Sequence, residues 1–232
     1  MEAQHLVSTR KLVDSDAEHE ALEALIEASK PALPPAAPGR RGAAIHYLLA
    51  TPFRYPPLRH GSRFGSRGER GIWYGADAVP TALAEVAYYR LLFAAGTAAA
   101  ILPLTLQLSV FQAQVATAKG VDLSRPPFSR YRARVSSPTS YDASQRLGAE
   151  MRADGVQACR YASARDPAGG TNVAVFTPDA FARRTPSPYQ VWLCTVADSG
   201  VAFQRADPAR RERVAFAREA FVVDGALPRP AV

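Results

Sequence analysis

One stretch constrains the fold more than any other. It reads Thr81-Ala-Leu-Ala-Glu85-Val-Ala-Tyr-Tyr-Arg90-Leu-Leu-Phe-Ala-Ala95 and is bounded by Pro80 and Gly96. Proline suits a first helical turn and glycine suits the residue after the last, so the pattern predicts a helix from about Thr81 to Ala95. Leu83, Val86, Ala87 and Leu91 cover one side; Ala82, Tyr89, Leu92 and Phe93 cover the other. A helix apolar nearly all round is buried, so the rest of the chain must build a core around it. Only Glu85 and Arg90 are charged, and at five residues apart they share no face. A lone carboxylate there is costly unless something cationic meets it. That partner comes from elsewhere: a core arginine, or a ligand site, unless the acid lies at a local exposed edge.

Composition supports a core of that size. The chain has 232 residues, 47% of them hydrophobic and 21% charged, which excludes a disordered polymer. That length fits one ordinary domain plus an extension. Cys159 and Cys194 are too few for a disulfide scaffold or a Cys-rich zinc module, and both read as small core residues. His5, His19, His46 and His60 have no metal-ligand spacing, and no metal is expected. Leu91 to Ala118 carries no charge, but it holds Gly96, Pro103 and three glutamines, and Leu104, Leu106, Leu108 and Val110 alternate with polar residues. That period is a strand's, not a spanning helix's. With no basic-then-apolar opening segment, a cytoplasmic protein without a membrane span is expected.

Charge is divided unevenly. Residues 1–30 carry seven acids and three bases; residues 31–232 carry fourteen acids and twenty-five bases, nearly all arginine. An arginine-rich body suits phosphate or carboxylate ligands, or nucleic acid, and equally a merely basic surface.

The N-terminal segment predicts one helix. Ser15 and Glu18 form a capping box, with Leu22, Leu25 and Ile26 as a thin apolar stripe. Pro31, Pro34, Pro35 and Pro38 then make an extended linker, so residues 1–42 form an acidic extension and 43–232 the domain proper. Within it, Ile45–Leu49 reads as a strand, Thr51–Gly71 as a long loop and Ile72–Ala76 as a short strand. Leu102–Ala116 reads as a strand bulged near Val110-Phe111, and Val121–Leu123 as another strand. Pro126–Thr139 is expected to be loop and Asp142–Ala153 a helix. Val156–Tyr161 and Asn172–Phe176 read as strands, and Gln190–Ala197 with Val201–Arg205 as a hairpin. Asp207-Pro208 is expected to open a last helix to about Phe221. Strands with interspersed helices make this an α+β domain.

The loop before the buried helix interleaves cations, aromatics and glycines: Phe53-Arg54-Tyr55, then Arg59-His60-Gly61-Ser62-Arg63-Phe64-Gly65, then Arg67. Such a loop can wrap a dinucleotide, with arginine on phosphate and rings on rings. A solvated basic turn accounts for it equally well. The glycine spacing is not that of the dinucleotide-binding strand–turn–helix fingerprint.

Taken together, Arg54-Tyr55, Gly61-Ser-Arg63-Phe, Gly71-Ile-Trp-Tyr74-Gly-Ala, Thr81-Ala-Leu-Ala-Glu85 and Tyr161-Ala-Ser163-Ala-Arg-Asp166 resemble the RES domain, over roughly residues 43–180. The resemblance is to the toxin half of bacterial Xre–RES toxin–antitoxin pairs. It implies a compact ADP-ribosyltransferase-like fold with a central, mostly antiparallel sheet flanked by helices. It implies NAD as substrate, cleaved at the nicotinamide–ribose bond as a glycohydrolase or phosphorylase. It also implies an Xre-family helix-turn-helix antitoxin as partner, through which alone nucleic acid is met. Residue by residue, Arg63 matches the family's loop arginine, with Arg67 a rival; Tyr74 matches the strand tyrosine, Glu85 the helix glutamate and Ser163 the late serine, and Arg54 and Tyr55 the first Arg-Tyr. Glu85, Arg63 and Ser163 are then the expected catalytic residues, and Arg54, Tyr55 and Tyr74 join them around NAD. Glu85 would stabilise the oxocarbenium-like ribose and Arg63 and Arg54 would hold the pyrophosphate. Tyr74 or Tyr55 would stack on the nicotinamide or ribose, and Ser163 would bond the nicotinamide side or orient Glu85. The competing reading is a basic nucleic-acid-binding or RNase-like toxin without NAD chemistry.

Overall fold

The computed structural model describes residues 12–31, 45–57 and 60–230. The fold is α+β. Five α-helices, α1 (Asp16–Ser29), α2 (Tyr47–Ala50), α3 (Val79–Ala95), α4 (Arg132–Val135) and α5 (Asp142–Ala153), accompany eight strands among the described residues. The strands are β1 (Trp73–Ala76), β2 (Leu104–Val110), β3 (Gly120–Asp122), β4 (Ala158–Ala162), β5 (Thr171–Val175), β6 (Gln190–Ala197), β7 (Gly200–Arg205) and β8 (Arg213–Ala217). They form two four-stranded sheets, ordered β1-β5-β4-β3 and β2-β6-β7-β8. Every pairing is antiparallel except β3 with β4.

The capping box forms as expected. The Glu18 N–H donates to Ser15 Oγ and the Ser15 N–H to Glu18 Oε2, each at 3.2 Å, just ahead of α1's first full turn. The Asp14 N–H, which also donates to Glu18 Oε2 at 2.9 Å, and then the Ser15 N–H hold the Glu18 carboxyl below its usual range. The proline-rich linker lies mostly outside the described residues.

α3 is buried as its composition demands. Leu83, Ala87, Tyr88 and Leu91 pack against Leu108, Trp192, Cys194, Val196, Val201 and Phe203 on the inner face of the second sheet. Each such side chain removed from water contributes about 1.5–3 kcal/mol. In the first sheet the register puts Tyr74, Ala174, Cys159 and Val121 in one row. Asn172 and Tyr161 stand on the same face beside them. That face meets α5 and the 60–65 loop through Phe64, Met151 and Phe176. The opposite face carries Trp73 and Val175, packed with Leu49, Phe53 and Phe181.

Four expected elements differ. Residues 45–49 are not a strand: His46 Nδ1 accepts from the Leu48 N–H at 3.2 Å and starts α2, whose Leu48, Leu49 and Ala50 are all buried. A short apolar run has no period to separate helix from strand. The strand expected to reach Ala116 ends at Val110, where the alternation slips. Beyond it, Ala116 and Gln114 bond to the backbone of residues 180 and 182 instead. The segment 126–139 holds a 3-10 turn (Phe128–Tyr131) and α4. The expected C-terminal helix is β8 followed by a 3-10 turn (Arg218–Phe221). Val214 and Phe216 alternate inward, and pairing with the open edge of β7 outweighs the cap-like Asp207-Pro208.

Candidate functional site

Glu85 is half-buried on α3, and neutral groups meet it rather than the cation expected. Its Oε1 accepts from Ser163 Oγ at 2.7 Å and from Asn172 Nδ2 at 2.5 Å. Among the described residues it joins no ion pair, and its Oε2 carries no hydrogen bond.

Both donors are held in place. Ser163 follows β4, and its Oγ accepts from the N–H groups of Arg165 (3.1 Å) and Asp166 (3.0 Å). With those donors on its lone pairs, the hydroxyl proton has one direction left, toward Glu85. Asp166 ties the loop back to α3: its Oδ2 accepts from Thr81 Oγ1 at 2.7 Å and from the Gly170 N–H at 3.2 Å. A Cβ on Gly170 would stand 2.1 Å from Thr81 Oγ1, so only glycine closes this loop. Asn172 lies within β5, buried on the same face as Tyr161, and its Oδ1 has no partner among the described residues.

Arg63 is also buried, but it does not reach Glu85. Its Nη1 donates to the carbonyls of Val135 (3.1 Å) and Ser137 (3.0 Å), and its guanidinium lies 4.8 Å from the centre of the Tyr141 ring. Arg165 repeats the arrangement. Its Nη2 donates to the Pro138 carbonyl at 2.8 Å, and its guanidinium sits 3.6 Å over the Tyr88 ring. Neither forms an ion pair among the described residues, so two buried positive charges flank the site with only carbonyls and π-faces about them. Burial pushes the Tyr88 hydroxyl up, and Arg165 and Arg63 oppose that shift. The rival Arg67 is exposed.

The 60–65 loop is clamped to α5. Gln145 Nε2 donates to the carbonyls of His60, Ser62 and Gly65, and a Cβ on Gly148 would come within 2.0 Å of the Phe64 carbonyl oxygen. The Tyr74 hydroxyl accepts from the Phe64 N–H at 3.1 Å and pairs with Ser62 Oγ at 2.9 Å. Burial drives its pKa far up, as it does that of Tyr161, so both stay neutral.

A cavity of about 610 Å³ opens one turn further along α3; Glu85, Ser163 and Asn172 are not among its lining residues. Tyr55, Tyr74, Tyr88, Tyr89 and Tyr141 line it, with His60 and Arg229. Tyr89 and Tyr141 share a hydroxyl contact of 3.0 Å. Tyr88 and Tyr89 lie three and four residues after Glu85, on the same side of α3. Of the residues singled out in the sequence, the structure joins Glu85 to Ser163 directly and sets Tyr55 and Tyr74 on the cavity wall. It places Arg63 behind Tyr141. Arg54 is half-buried in the turn before Tyr55 and is not among the lining residues. Sequence reasoning missed Asn172, Arg165 and Arg229 as site residues. Asn172 alone left a trace, as an amide in the otherwise apolar run Asn-Val-Ala-Val.

No cluster of His, Cys, Asp or Glu among the described residues could hold a metal, and no helix there is long and apolar enough to cross a membrane. No curated protein matches the chain. The family model of the RES domain matches residues 37–196, a span that contains the Glu85, Ser163 and Asn172 contacts and both buried arginines. On that match over more than half its length, the chain belongs to the RES domain family.

Proposed function

We propose that the protein cleaves the nicotinamide–ribose bond of NAD, as the toxin of a pair neutralised by an Xre-type helix-turn-helix antitoxin. The toxin role and the partner come with the family. One observation supports the chemistry: a carboxylate with one oxygen fixed by Ser163 and Asn172 and the other without a hydrogen-bond partner among the described residues, one helical turn before Tyr88 and Tyr89, which line an aromatic cavity.

The bond between ribose C1′ and the nicotinamide nitrogen breaks with its electron pair going to nicotinamide. The ring leaves neutral and the ribose becomes oxocarbenium-like. A fixed carboxylate accepting a ribose hydroxyl stabilises that cation in the transition state more than in the ground state. Ser163 and Asn172 keep Glu85 oriented, so no reorganisation is needed as charge develops. The tyrosines offer flat faces to the two ring systems. The acceptor, water or phosphate or another nucleophile, then takes C1′ of the ADP-ribosyl group.

Glu85→Gln is the test. Its amide oxygen can still accept from Ser163 and Asn172, so the fold is kept and the charge is lost. Nicotinamide release from NAD is expected to fall by about 10²–10³-fold. Undiminished release would remove Glu85 from the chemistry.

A further inference from the structure

A cavity that receives a phosphorylated ligand needs a cation at its surface, and the two buried arginines are not there. Arg63 donates through Nη1 to the carbonyls of residues 135 and 137 and Arg165 through Nη2 to that of residue 138, a tyrosine ring lies across each, and neither lines the cavity. Their charge reaches the cavity only as a field. The arginine that lines it is Arg229, with His60 also among the lining residues.

Arg229 comes from the C-terminal tail, beyond residue 196, where the family match ends. The tail is secured just before it. Val223 and Ala226 exchange backbone hydrogen bonds at 2.9 and 3.1 Å. Leu227 packs against the core around α3. Pro228 is buried, and its carbonyl accepts the Tyr88 hydroxyl. The next residue is therefore delivered to the cavity by a fixed backbone. Its side chain is exposed and makes no ion pair or side-chain hydrogen bond among the described residues.

From this we infer that Arg229 is the anion-binding residue of the cavity, gripping the phosphates of a nucleotide whose rings lie against the tyrosine wall. A guanidinium presents paired donors that match two phosphate oxygens. Arg63 and Arg165, over Tyr141 and Tyr88, add a positive field to the cavity that favours an anionic ligand. The inference deepens the proposed reading, on which the choice of a dinucleotide rests. It also makes the tail part of the site rather than an appendage to the family domain.

The test uses the full chain, with ADP and adenosine as probes in calorimetric titration. They share ring and ribose and differ in the phosphates. Wild type should bind ADP more tightly than adenosine. R229Q should weaken ADP by about tenfold while leaving adenosine within twofold, and should flatten the salt dependence of ADP binding. R229K should lie between the two. Arg229 is exposed, so the melting curve should not change.

Three results overturn the assignment: no preference for ADP in the wild type, ADP affinity unchanged in R229Q, or ADP and adenosine weakened equally. None of the three depends on turnover. If ADP behaves as expected and wild type leaves NAD intact, the anion site stands and the proposed chemistry falls. If nicotinamide release depends on Glu85 and ADP ignores Arg229, the chemistry stands and this assignment falls.

Discussion

Ser163 and Asn172 both donate to one oxygen of Glu85, yet their removal should differ in kind. Ser163 also accepts two backbone N–H bonds, from Arg165 and Asp166, in a buried loop. Ser163→Ala leaves those donors unsatisfied and should cost about 1–3 kcal/mol of stability as well as activity, read as a lowered urea midpoint. Among the described residues the Asn172 side chain makes no hydrogen bond besides the one to Glu85. Asn172→Ala should cut nicotinamide release by about tenfold or more while moving the midpoint far less. Equal loss of stability in the two variants would mean that Asn172 serves the sheet and not the carboxylate. That Glu85 has a partner was legible in the sequence, because an acid in an apolar helix demands one; that the partner is neutral Ser163 and not a cation was not, and Ser163 entered only through the resemblance to the RES domain, with orienting Glu85 as one of two roles. Asn172 was not legible either, because a single amide among strand residues has no spacing to announce it, and only the β4–β5 register turns it toward α3.

At the level of elements, the turn from the end of α4 at Val135 to Tyr141 is clamped by two cations in addition to the Ser136 Oγ bond to the Ala162 carbonyl. Arg63 and Arg165 hold the carbonyls of Val135, Ser137 and Pro138, and their guanidiniums lie over Tyr141 and Tyr88. Arg165→Met keeps most of the aliphatic volume but removes the donor to Pro138 and the cation over Tyr88. A loss of about 2–4 kcal/mol is expected, from one charge-assisted hydrogen bond and one desolvated cation–π contact. A midpoint within error of wild type would show that the segment needs no clamp. Such a device is invisible in sequence, where Arg165 reads as one more base in an arginine-rich body. Long elements were legible because their periods are long: α3 and α5 fall where their patterns place them, and so does the β6–β7 hairpin. α2 and β8, of four and five residues, were misread because neighbours decide short segments: the His46 cap in one case, the open edge of β7 in the other.

Over the whole molecule, the family match stops at residue 196 but the core does not. Trp192, Cys194 and Val196 on β6 belong to a cluster completed by Val201, Phe203 and Phe221, all beyond that limit. β7 also supplies the hydrogen-bonding partner along six residues of β6, and the tail accepts the Tyr88 hydroxyl at Pro228. Each of those three apolar side chains contributes about 1.5–3 kcal/mol by burial, and together they rival the 5–15 kcal/mol that holds an ordinary domain folded. Removing them also exposes the faces of Trp192 and Leu91 that they cover. A chain shortened to residues 1–196 should therefore lose its cooperative thermal transition and its near-ultraviolet circular dichroism, although it keeps Glu85, Ser163 and Asn172. A sharp melt within a few degrees of the full chain's would make the C-terminal strands an independent addition. Loss of both signals would mean that the Glu85 contacts and the second sheet fold as one unit, with the family domain unable to stand without β7, β8 and the tail.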